Sequence, residues 1–217
     1  MVIRVIERSF GNSVFQCLML LTLLPLTAEA VDPVPVSILP FPSTVPDLIS
    51  NLRYAVDHDL TLHDDFYSDE NLRRLMNAKH VEGERTAGDV ALTAELFGPP
   101  KPIAKDSKII MGIAAVLIRR NAHGDISINL QINDPAARPA YDAVEQILGP
   151  DWKPMPPPIP NPHRIDIPPT GPHGNAHMTL RTRTSLEDVV MEATFDPDGK
   201  LHNFSVFINP IEGSNWW

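Results

Sequence analysis

An α+β fold is expected for this 217-residue chain: an antiparallel sheet, or sheets, of short strands with two to three helices packed on one side. Three observations carry that expectation. Apolar residues recur at helical spacing in residues 46–58, 68–78 and 139–148. Runs with the two-residue alternation of strands, closed by Gly, Pro and Asp, fill much of the chain between and after them. The order helix then antiparallel hairpin also occurs twice, so 46–133 and 134–217 read either as two related helix-plus-hairpin halves or as two unrelated units of one domain.

Residues 1–30 read as a secretory signal. Arg4 and Arg8 outweigh Glu7 at the start, and an uncharged run follows from Cys17 to Thr27. Ala28 and Ala30 then supply the small residues of a cleavage site. The run falls short of the ~20 apolar residues a spanning helix needs, and Pro25 interrupts it. We therefore expect cleavage after Ala30, a periplasmic or extracellular destination, and no stable membrane insertion afterwards. Cys17, the chain's one cysteine, leaves with that segment. The processed chain then has no disulfide and no thiolate chemistry.

The whole chain carries a net charge of −9, and residues 1–30 contribute two charges of each sign. An acidic surface disfavours nucleic acid and anionic lipid and favours a basic protein partner or a cation. Solubility alone also accounts for it. The oligomeric state is not legible.

Along the processed chain, residues 31–45 form an extended proline-rich segment. Pro46 and Asp47 open a helix through Leu48, Leu52, Ala55 and Val56. Ser68 caps a second helix with Asp69 and Glu70 in its first turn. Val90–Phe97 alternates as a strand. Lys108–Ile118 is apolar on both faces, which predicts a buried central strand. A turn at 119–125 and an alternating strand 126–132 complete a hairpin. Pro139 near its first position and Gly149 as its stop bound a third helix. Strands over 178–184, 189–195 and 201–208 follow, with Asp196–Gly199 as the second hairpin's turn. Gly124 and Gly199 lie 75 residues apart, a spacing in keeping with an internal repeat. This element order, together with the stretch Val144–Pro150, resembles the small helix–hairpin modules of envelope assembly lipoproteins and, in tandem form, of secreted β-lactamase inhibitors.

Residues 150–172 hold ten prolines. They read as a stiff connector with Trp152, Ile159, Ile165 and Ile167 as its anchors. Trp216 and Trp217 form either a docked plug or an exposed end.

The densest set of metal-ligating side chains is His58, His63, Asp64 and Asp65, whose imidazole and carboxylate groups suit a divalent transition metal. The five-residue step between the histidines is not the i, i+4 spacing of one helix face, so a solvated acidic loop explains the cluster equally. His163, His173 and His177 form a sparser set. Thr179, Arg181 and Arg183 share one strand face, which reads as solvent-facing. The pairs Asp64–Asp65 and Glu187–Asp188 are ordinary features of an acidic protein. No nucleophile elbow, His-Glu-x-x-His zinc motif, phosphate loop or dinucleotide fingerprint occurs. Three classes of function stay open, in order: a non-enzymatic exported protein of inhibitor, immunity or assembly-factor type, a metal-binding protein using the His/Asp cluster, and a hydrolase with an unfamiliar site.

Overall fold

Thr44 begins the ordered helical part. Its hydroxyl accepts from the Asp47 amide at 3.3 Å, and the Asp47 carboxylate accepts from the Thr44 amide at 2.9 Å, a reciprocal capping box. Those bonds, the Ser43 amide foremost, hold the Asp47 carboxyl below its ordinary range. The computed structural model describes residues 39–86, 89–97, 101–102, 110–155 and 167–211. The signal segment, His163, Ile159, Ile165 and the terminal tryptophans lie outside them.

Helix α1 spans Val45–Asp57. Two 3-10 turns, Leu60–Leu62 and Asp64–Tyr67, lead to α2, Asp69–Met76, which Ser68 caps. Ten strands and a third helix follow: β1 Ala78–Thr86, β2 Asp89–Leu96, β3 Lys101–Pro102, β4 Ile110–Met111, β5 Ala114–Arg120, β6 Ile126–Ile132, α3 Tyr141–Leu148, β7 Lys153–Pro154, β8 His177–Arg183, β9 Glu187–Phe195 and β10 Leu201–Pro210. Strands β3 and β4 pair only with each other. The other eight form one antiparallel sheet in the order β1-β2-β5-β6-β10-β9-β8-β7.

Alternation sorts the sheet into two faces. Leu92, Val116, Ile128, Val206, Met191 and Leu180 stand on one of them. They bury in a single cluster with Leu48, Leu52 and Val56 of α1, Leu72 and Leu75 of α2, and Val144 and Leu148 of α3. The helices therefore cover one side of the sheet, as the amphipathic segments required.

The order of strands is a palindrome: each half contributes four strands to the sheet, the first with two helices and the second with one, and their last strands meet in the middle. The turns at 121–125 and 196–200 close with the same two bonds. The Asn121 amide donates to Asp125 and the Gly124 amide to Asn121, as the Asp196 amide donates to Lys200 and the Gly199 amide to Asp196. Gly124 and Gly199 sit at φ +85° and +77°, a region glycine enters without penalty. A bulge between Leu201 and Asn203 adds one residue. The 75-residue offset thereby becomes 76, and the pseudo-twofold falls on the Asn129–Ser205 pair. There the Asn129 amide donates to the Ser205 hydroxyl at 3.0 Å.

Several sequence expectations are corrected. Strand β1 was not anticipated, because most of its residues are exposed and Lys79, Glu82, Glu84 and Arg85 leave it no apolar alternation. The run 108–118 is not one doubly buried strand: β4 and β5 are separated at Gly112 and Ile113, and Leu117 on β5 is 36% exposed. Helix α3 is preceded by Ala140 rather than begun by Pro139, whose carbonyl instead accepts from the Leu201 amide. In the connector, Trp152 is buried against Tyr141 and Phe195, whereas Ile167 is 60% exposed and anchors nothing.

Candidate functional site

The 3-10 segment after α1 and the β5–β6 turn form the two walls of a cleft of about 330 Å³. Its lining includes His63, Asp64 and Asp65 on one wall and Arg120, His123 and Gly124 on the other. Arg120 bonds Asp64 and lies over the Tyr67 ring at 5.8 Å. Its guanidinium is thus held from two sides. Three of the four residues singled out as metal ligands reach this cleft. His58 does not line it. That residue caps the C-terminus of α1, its ring stacked on Tyr54 at 3.8 Å and its Nδ1 2.9 Å from the Tyr54 carbonyl. Among the described residues no three His, Cys, Asp or Glu side chains gather into a metal-holding group. The second histidine set is dispersed in the same way: His173 stacks on Tyr141 at 3.8 Å, and His177 sits in β8 opposite Thr194.

Beneath the sheet, at the first residue of β9, lies a group that the sequence reading passed over. Glu187 is fully buried, and neither carboxylate oxygen has a hydrogen-bond partner. Its backbone amide donates to the Thr184 hydroxyl at 3.1 Å, and that hydroxyl donates to Asp59 at 2.8 Å. Burial first, and then the Asp59 carboxylate, pushes Glu187 up to about 8. Tyr67 is also buried, and its hydroxyl donates to the Thr61 carbonyl at 2.5 Å. A carboxyl with a perturbed pKa marks many catalytic sites, yet this one is sealed from solvent and can touch no substrate. The signal was present in strand parity: Glu187, Val189, Met191, Ala193 and Phe195 alternate, which places Glu187 on the buried face.

Among the described residues, no helix lies on the opposite face of the sheet. One cross-strand row runs through all eight strands: Glu82, Thr93, Leu117 and Asn129 from the first half, then Ser205, Glu192, Thr179 and Lys153 from the second. A neighbouring row carries Glu84, Arg119, Phe207, Val190 and Arg181. Leu117 and Phe207 are 36% and 37% exposed, Leu117 between Thr93 and Asn129 and Phe207 between Ser127 and Val190. The expectation that Arg181 and Arg183 face solvent places them on this same surface. A shallow cleft of about 520 Å³ opens at its turn end between Glu84, Asp89, Arg119, Asp125 and Phe207.

Comparison with protein-family models, with curated proteins and with solved structures finds no match to the chain. The likeness of element order noted from the sequence has no counterpart there.

Proposed function

We propose that this is an exported protein, processed after Ala30, that works by binding another protein, and that the helix-free face of the sheet is the surface that binds. One observation carries the reading: a broad β-sheet face that no helix among the described residues covers, with Leu117 and Phe207 exposed near its centre among polar side chains. An apolar centre within a polar rim is the anatomy of a recognition surface. The conflicting candidates are weaker. The His/Asp cluster leaves His58 outside the cleft, and Glu187, the most perturbed carboxyl, is closed to substrate.

The test is a photo-crosslinking amino acid placed at Leu117 in the full chain, expressed in its host, with a second at exposed Glu70 on α2 as control. A discrete protein adduct from Leu117 and none from Glu70 supports the reading. No adduct from Leu117, or identical adducts from both, overturns it. Export is tested separately by N-terminal sequencing of the exported chain, which should begin at Val31.

A further inference from the structure

We infer that the partner matched to this face is a second copy of the chain, packed face to face about a twofold axis running along the strands between β6 and β10. The inference rests on the proposal that the open face is a protein interface, and it names the partner.

Charge is distributed unevenly across the face. The first half's outer strands carry Glu82 and Glu84 on β1 and Asp89 and Glu95 on β2, with Arg119 on β5 as their counterweight. The second half carries Lys153 on β7 and Arg181 and Arg183 on β8, with Asp188 and Glu192 on β9. A face-to-face dimer has its twofold axis in the plane of the interface. With that axis along the strands, each strand meets its pseudo-symmetric counterpart in the other copy: β1 meets β7, β2 meets β8, β5 meets β9 and β6 meets β10. Three pairings then join opposite charges and none joins like charges, while Glu95 meets His177. Glu82 and Glu84 face Lys153, Asp89 faces the Arg181 and Arg183 pair, and Arg119 faces Asp188 and Glu192. The axis at right angles lays β1 on β1 and β8 on β8, setting like charges together. The pseudo-twofold makes the two arrangements alike in shape, so charge selects between them.

Area supports the same conclusion. Seven full strands at about 4.8 Å spacing, each about 20 Å long, present roughly 650 Å² per copy. The two copies together cover roughly 1,300 Å², within the range of stable interfaces. The middle strands, β6 and β10, carry no charge on this face, and Phe207 of β10 supplies the apolar centre such an interface requires.

The experiment is sedimentation velocity of the exported full chain at about 100 µM, enough to populate any complex tighter than roughly that concentration. Two charge variants accompany it. One carries Lys153→Glu, Arg181→Glu and Arg183→Glu; the other carries Glu82→Lys, Glu84→Lys and Asp89→Lys. All six residues are exposed, and thermal melts check that both variants fold. The expected result is a wild-type dimer, each variant monomeric alone with at least tenfold weaker association, and a dimer again when the two are mixed. A dimer that persists in both variants overturns the arrangement. So does a dimer in which a crosslinker at Leu117 joins no second copy. A wild-type chain that stays monomeric overturns the second-copy inference alone; the broader proposal then stands if Leu117 crosslinks a different protein, and falls with it if Leu117 crosslinks none.

Discussion

Phe204 and Phe207 lie three residues apart on β10 and belong to opposite sides of the sheet. Phe204 is packed among Leu130, Ala193 and the helices, while Phe207 stands in solvent beside Ser127 and Val190. The covered side is almost wholly apolar, with Glu187 its one fully buried acid. The uncovered side mixes charge, amide and hydroxyl groups around two apolar residues. The same strands build both surfaces, so what separates them is burial: the first side holds the fold together, and the second contributes little to it.

That contrast can be broken residue by residue. Phe204→Ala should cost ~3–5 kcal/mol, the transfer and cavity cost of a buried aromatic, whereas Phe207→Ala should cost less than ~1 kcal/mol. Urea unfolding of the two variants checks both. Equal losses would mean that the two faces are not energetically distinct.

Glu187 gives the next largest effect, and its sign depends on pH. Its folded pKa, about 8, lies above the ordinary value of 4.5. The folded chain therefore holds a proton that the unfolded chain releases. The resulting stability is fully present below pH 4.5, falls as pH rises towards 8 and is gone above it, a change of at most about 5 kcal/mol. Glu187→Gln should flatten that slope and melt higher than wild type at pH 9. Melting temperatures between pH 4.5 and 9 decide the matter, and parallel curves for the two proteins would remove Glu187 from the account.

The paired turns allow a finer comparison. A Cβ at Gly199 would sit 2.3 Å from the Pro172 carbonyl oxygen, while one at Gly124 meets only the Pro210 side chain at 3.1 Å. Both alanine variants incur the positive-φ penalty of ~1 kcal/mol. Gly199→Ala should lose more than Gly124→Ala, since the backbone of the proline-rich connector must also move. Thermal melts that place the two together would show that the turns are equivalent in packing as well as in hydrogen bonding. The smallest effect belongs to Leu117→Ser, which should leave the melt within ~0.5 kcal/mol of wild type because an uncovered side chain loses little on truncation.

Much of the fold was legible because alternation is a local signal. Ile126, Ile128, Leu130 and Ile132 point inward in the structure as their spacing requires. The two turn glycines, 75 residues apart in the sequence, both close hairpin turns in the structure. Strand β1 escaped because only Ala78 and Val81 of it turn towards the core, and its Lys, Glu and Arg residues are what keeps an exposed sheet edge from pairing with another chain. The order of strands was not legible either. The β6–β10 pairing joins residues 76 apart, such as Asn129 and Ser205, and no local pattern encodes it. At the cleft, the sequence marked His63, Asp64 and Asp65, but it could not foresee that two 3-10 turns and the Tyr54 stack would leave His58 outside it. Thr179, Arg181 and Arg183 were placed correctly on a solvent face. Their place towards the opposite edge of the sheet from Glu82 and Glu84 follows from the strand order, which no local pattern carries.

The most direct test of the central claim is hydroxyl-radical footprinting of the exported chain, dilute and alone, then in concentrated host extract. Leu117 and Phe207 report on the open face, and Phe41, 56% exposed beneath the Lys79 ammonium, serves as reference. If the open face is where this protein meets its partner, oxidation of Leu117 and Phe207 falls in the extract while that of Phe41 holds. Unchanged oxidation of all three, or an equal fall in all three, would contradict the account.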